Sequence, residues 1–229
     1  MKIIITEEQY KKILIKNQLN DKFVGSKITQ LLEKSKKASH IREMVRDIIT
    51  IFKKEDKGEF YLPEEFDEER PYYELPSSVI ALELIIETSN EVENYFTNAN
   101  FYKDEDVIVV KIIYNPNKKN NIIYNLIAEL NEVIAHELRH QYQRDTGLFD
   151  LDKTNSNDDE EEGFEYYSRP EEIDSQVDGF KRMREVTKKP FEELVKNWFK
   201  THKEIHQMNS DDSDKIIKMI IDYYKKSLN

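Results

Sequence analysis

Apolar positions recur at helical spacing toward both ends of this chain and alternate, strand-like, only in its middle. Residues 3–5 are an Ile-Ile-Ile run short enough for a single strand. Thr6-Glu7-Glu8-Gln9 is a capping-box pattern, and Tyr10, Ile13, Leu14 and Leu19 predict a helix from there to about Asn20. Past Gly25-Ser26, residues Ile28, Leu31, Leu32, Ile41, Met44, Val45, Ile48, Ile49 and Phe52 keep a helical period, with a break expected near Ser39. Residues 54–78 are acidic and carry Gly58, Pro63, Pro71 and Pro76, so they read as an irregular connection. The aromatic residues Phe60, Tyr61, Phe66, Tyr72 and Tyr73 within it predict that it packs down on something.

From residue 79 the period changes to two. Residues 79–86, 95–102 and 107–114 predict three strands, the last a β-branched run closed by Asn115-Pro116-Asn117. Residues 121–146 then form the longest helical pattern, stopped by Gly147, with Ile123, Ile127, Leu130, Ile134 and Leu138 as its core stripe. Glu129, Glu132, Val133, His136, His140 and Gln143 fall on the adjoining face. Residues 150–165 hold eight acids and predict a solvated loop. Ser168 as cap, with Pro170 and Glu171, opens a further helix along Ile173, Val177 and Phe180. Two amphipathic helices follow, over residues 190–206 and 213–228. The expected fold class is α+β: a small, mostly antiparallel or mixed sheet with two central helices, flanked by N- and C-terminal helices. The expected division is 1–78 as an N-terminal helical segment with its acidic connection, 79–188 as the core, and 189–229 as a helical extension.

Composition narrows the function classes. The 229 residues carry a net charge of −11, which argues against nucleic acid or an anionic membrane as partner. No stretch reaches the length of an apolar membrane span, and the opening run is short for a secretory signal, so the expectation is a soluble, cytoplasmic protein. Richness in Lys, Asn and Ile resembles what AT-rich coding produces, as in phages and some bacteria. There is no cysteine, so any metal must be held by His, Asp or Glu.

The chemistry concentrates in His136-Glu137-Leu138-Arg139-His140. Residues i and i+4 stand one above the other on a helix, so both imidazoles can reach one ion, with a carboxylate beside the first. Hydrolytic zinc takes three protein ligands and leaves a fourth position for water, whose pKa falls to roughly 7. A third ligand must therefore come from elsewhere. The extended motif with a third histidine needs glycine at position 143 and histidine at 146, where this chain has Gln143 and Thr146. His40, His202 and His206 have no supporting context. His202 and His206 are themselves four apart, but no glutamate follows the first. Carboxylates on the next predicted helix, Glu171, Glu172, Asp174 and Asp178, remain as candidates.

His136-Glu137-Leu138-Arg139-His140-Gln141 followed by Arg169-Pro170-Glu171-Glu172-Ile173-Asp174-Ser175 resembles the active-site pair of small gluzincin-like zinc metallopeptidases, many of them phage-encoded or bacterial. The second motif in that group has the form Pro-x-Glu-Ile-x-Ala, and this chain departs from it at Ser175. The resemblance covers about residues 79–188. It implies Zn2+ held by His136, His140 and Glu172, with Glu137 as the base that draws a proton from the attacking water, and a peptide or protein as substrate. Ser175 and Gly179 support Glu172, because small residues let its helix approach the histidine helix, while Glu171 is already used as cap partner. Asp174 and Asp178 suit the role of orienting an imidazole. Tyr166 or Tyr167 is the expected donor to the developing oxyanion, and Arg139 is expected in a salt bridge. The alternative reading is a non-catalytic metal-binding protein, or a virion or interaction protein that retains the fold.

Overall fold

Two long helices and a twisted sheet are assembled from the stripes just described. A computed structural model describes residues 21–62, 73–74, 79–102, 104–149, 163–202 and 208–228. The expected strand at 3–5, the capping box at 6–9 with its helix, and residues 150–162 of the acidic loop lie outside these. Among the described residues the order is α1 (Asp21–Lys54), β1 (Gly58–Leu62), β2 (Tyr73–Glu74), β3 (Val79–Thr88), β4 (Tyr95–Tyr102), β5 (Val107–Tyr114), α2 (Lys119–Thr146), α3 (Phe164–Tyr167), α4 (Pro170–Thr187), α5 (Phe191–His202) and α6 (Ser210–Lys226). The fold is α+β with a mixed sheet, as the pattern predicts.

Several boundaries differ from expectation. Helix α1 runs unbroken through Ser39. Neither Gly nor Pro stands between residues 27 and 54, and Ile41, Met44, Val45, Ile48 and Phe52 stay in phase on one buried face. The connection after it contains two strands, β1 and β2, both antiparallel to β3. Helix α4 starts from Arg169 rather than Ser168. Proline fits the first helical position and pushes the residue before it into extended backbone, which leaves Arg169 as the cap. Ser168 Oγ instead donates to the Glu165 carbonyl at 3.1 Å. Helix α5 covers 191–202 of the expected 190–206, while α6 starts three residues before the expected 213 and ends two before 228; the Asn209 side chain caps α6 by accepting from Asp212 N at 2.9 Å.

The sheet order is β1-β3-β5-β4, with β2 added on β3. Strands β3 and β5 are parallel, in register Leu84↔Val110, and β4 returns antiparallel along the outer side of β5. The two kinds of strand explain the order. Residues 107–114 are apolar at almost every position, as a strand with neighbours on both sides requires. In β4, Thr97 and Ala99 are buried while Asn98, Asn100 and Tyr102 are exposed, a polar alternation suited to an edge.

Helix α2 separates two hydrophobic cores. Ile122, Leu126, Leu130, Ile134 and Leu138, each four residues after the last, pack with α1 and the sheet; the expected Ile123 and Ile127 lie half-buried beside that row. On the other side Ala128 joins Ile173, Val177 and Phe180 of α4 and the buried faces of α5 and α6. Helices α2 and α4 approach closely because Gly179 lacks a side chain. A Cβ there would lie 2.9 Å from Glu132 Oε1 and 3.0 Å from the Glu132 carbonyl. A buried polar tie adds to this contact, Arg182 Nε donating to Asn131 Oδ1 at 2.9 Å. Gly147, at φ 60°, ends α2 in the left-handed conformation that glycine adopts without strain.

Candidate metal centre

At one place in the seam between the two cores, polar side chains of metal-ligand type converge. Helix α2 brings His136 and His140 to its α4-facing side, one turn apart, and α4 brings Glu172 from its first turn. The His136 and His140 Nε2 atoms are 3.0 Å apart. Glu172 Oε1 is 3.1 Å from His140 Nε2, and Glu172 Oε2 is 3.4 Å from His136 Nε2. His136, His140 and Glu172 are the group of ligand-type side chains that can hold a metal ion among the described residues.

These distances can be tested against an ion. Zinc bonds of about 2.0–2.1 Å in a tetrahedron separate ligand atoms by about 3.3 Å, and the separations here are 3.0, 3.1 and 3.4 Å. Glu172 Oε2 is buried and has no hydrogen-bond partner, so its lone pairs are left for something else. Two neutral imidazole nitrogens and one carboxylate oxygen form a donor set that zinc accepts. The residues fit the group.

The electrostatics show the same convergence. Burial opposes ionisation of Glu172, but contact with His140 and His136 outweighs it and holds the carboxyl well below its ordinary range. Its place in the first turn of α4, facing the positive end of the helix dipole, acts in the same direction. Burial also disfavours the cationic form of His140, yet the Glu172 carboxylate reverses this and pushes the imidazole up to about 9. His136 is likewise raised against the effect of burial, by its contacts with Glu172 and Glu137. An anion buried between two imidazoles is a pocket in which positive charge is stabilised.

Glu137 stands at the edge of this group. Its Oε2 accepts a hydrogen bond from the Phe101 amide of edge strand β4 at 2.9 Å. Oε1 lies 3.9 Å from His136 Nε2, on the side of the triad. Burial pushes the carboxyl above its ordinary value, and the nearby Glu172 adds to this, while the two histidines pull it down.

The two tyrosines part company. Tyr166 is half-buried beside the site: burial raises its hydroxyl far above the usual phenol value, and the charges of Glu172 and Glu137 add to this. Tyr167 is buried in the second core, its ring edge-on to Trp198 and Phe199. Of the other acids, Glu171 is buried with Oε1 unpartnered, and it is the second helical residue, so the capping-box role expected of it falls away. Asp178 accepts from Lys37 of α1 at 2.7 Å. Asp174 takes a two-pronged salt bridge from Arg139, at 2.6 and 3.2 Å, and no bond from an imidazole. His40 lies 3.9 Å from Glu43, while the His202 side chain and His206 fall outside the described residues.

The residue that sequence reasoning passed over is Gln143, a fully buried side chain between His140 and α4. Its position three residues after a ligand histidine, on the same helical face, was the signal that could have found it. No protein-family model, no curated protein and no solved structure matches this chain. Among the described residues no helix is long and apolar enough to cross a membrane.

Proposed function

We propose that this chain is a zinc-dependent metallopeptidase that hydrolyses peptide bonds, with His136, His140 and Glu172 as metal ligands and Glu137 as general base. The observation that carries the reading is the meeting of three ligand atoms, those of buried His136 and Glu172 and half-buried His140, at tetrahedral separations, with a second carboxylate, Glu137, beside them. Zinc bound there supplies Lewis acidity toward the scissile carbonyl and makes water more acidic.

The chain's own groups then have distinct tasks. The Phe101 amide occupies Glu137 Oε2, which turns Oε1 toward the triad to take the proton of the attacking water and pass it to the leaving amine. The raised basicity of Glu137 suits that transfer. Tyr166, whose hydroxyl feels the charges of Glu172 and Glu137, is the tyrosine we assign as donor to the carbonyl oxygen as it becomes negative. Tyr167, enclosed by Trp198 and Phe199, holds the short helix α3 in place.

The test is zinc content and cleavage of a mixed peptide library by wild type and Glu137→Gln. Both proteins should hold one zinc per chain, and the variant should lose about 10²–10⁴ of the cleavage rate. Zinc-loaded wild type that cuts nothing, or a Glu137→Gln variant that cuts as fast, refutes the catalytic assignment.

A further inference from the structure

The amide of Gln143 is oriented by what surrounds it, and that orientation fixes the state of a metal ligand. Gln143 Nε2 faces the Glu171 carbonyl at 2.9 Å, Asp174 Oδ2 at 2.9 Å and Ser175 Oγ at 3.1 Å. The first two of these can only accept. Turning the amide over would set its oxygen against a carbonyl and a carboxylate in a fully buried place, leaving acceptors without donors. Asp174 is kept as an ionised acceptor from its far side, by Arg139 and by the Tyr223 hydroxyl at 2.9 Å. Gln143 Oε1 therefore points at His140 Nδ1, 3.0 Å away, closer than Ser175 Oγ, which accepts from Gln143 Nε2 and lies 3.3 Å from the same ring nitrogen. An amide oxygen has no proton to give, so Nδ1 carries a hydrogen toward Gln143, and Nε2, which faces Glu172 Oε1 at 3.1 Å, is the nitrogen left to give up its proton and offer a lone pair to a cation.

We propose that Gln143 is a positioning residue for the metal: held by Asp174, it accepts the Nδ1 proton of His140 and keeps that ring in the tautomer whose Nε2 binds a divalent cation. This rests on the metallopeptidase reading only in taking Nε2 as the ligand atom. It also gives the last helix a part in the site, since Tyr223 of α6 is one of the donors that hold Asp174.

Two variants and a spectroscopic measurement test it. Zinc affinity is read by competition with a chromophoric chelator for wild type, Gln143→Met and Gln143→Glu. Gln143→Met removes the acceptor and weakens zinc binding about 10–100-fold. Gln143→Glu keeps an oxygen for the Nδ1 proton and stays within about threefold of wild type, although the new carboxylate opposes Asp174 and lowers the melting temperature. A purely structural role predicts the opposite ranking, with the charged variant the worse binder. Proton–nitrogen correlation spectra of the zinc-loaded wild type should show the hydrogen on His140 Nδ1. The proposal is overturned if Gln143→Met binds zinc like wild type, if both variants lose affinity equally, or if the metal sits on Nδ1. Wild type that takes up no zinc sinks the metallopeptidase reading instead. The tautomer of neutral His140 in the metal-free protein then decides this one, Nδ1–H supporting it and Nε2–H overturning it.

Discussion

Replacing Gly179 by alanine probes the closeness of the two helices on which the site depends. The added Cβ meets the Glu132 carbonyl at 3.0 Å and Glu132 Oε1 at 2.9 Å. The carboxylate can turn aside, but the carbonyl belongs to the backbone of α2 and can move only with the helix. Overpacking of this kind costs about 1–3 kcal/mol. The substitution also removes glycine from the interior of a helix, which returns about 1 kcal/mol. The balance is a loss of about 1 kcal/mol, or a fall of about 2–4 °C in melting temperature for a chain of this size. The effect on function should exceed the effect on stability. Glu172 lies two turns along α4 from Gly179, so a helix displaced by a few tenths of an ångström carries its carboxylate away from the histidines. Zinc affinity should fall about tenfold, read by chelator competition beside a thermal melt. A variant that gains the full stability of the glycine replacement and binds zinc as tightly as wild type would show that the helices do not touch as described.

Two further outcomes follow from the packing. Phe180 is fully buried in the second core between Phe191 and Trp198, and Phe180→Ala should cost about 3–5 kcal/mol in denaturant unfolding, a cavity penalty that a surface position would not show. Glu129 is largely enclosed on the α2 face, and burial pushes its carboxyl up to about 7 although the neighbouring Tyr95 acts to lower it. Its folded value lies above its unfolded one, so the folded state keeps the proton longer and stability falls as pH rises from about 4.5 to 7. Glu129→Gln removes this slope. The variant should match wild type near pH 4.5 and exceed it at pH 7.5 by on the order of 3 kcal/mol; parallel stability curves for the two proteins would contradict the buried, late-ionising glutamate.

Local patterns carried much of this structure. The helical row in α2, the glycine that ends it, and the β-branched run of β5 are all properties of neighbouring residues, and each is found where its pattern lies. The contiguous motif holding His136 and His140, with small Ser175 and Gly179 on the next helix, likewise pointed to the group now seen together. Long-range pairing was harder to read. Strands β3, β4 and β5 follow one another in sequence, yet β3 pairs with β5, because the polar positions of β4 suit it to an edge. Strand β1 was hidden by its length of five residues and by the prolines after it. Gln143 acquires its meaning only from Asp174, Glu171 and Ser175, which reach it from another helix. The expected bond between an imidazole and Asp174 is absent; the Gln143 amide stands between them, and its spacing from His140 was legible while its bonds to α4 were not.

The most direct test of the central claim is X-ray absorption at the zinc edge, recorded for wild type and for Glu172→Ala. The account predicts one zinc per wild-type chain, bound by two imidazoles and light oxygen ligands at about 2.0–2.1 Å. In Glu172→Ala it predicts the loss of one oxygen ligand together with much weaker binding. A wild-type chain without zinc, or an edge spectrum and affinity unchanged by Glu172→Ala, would contradict it.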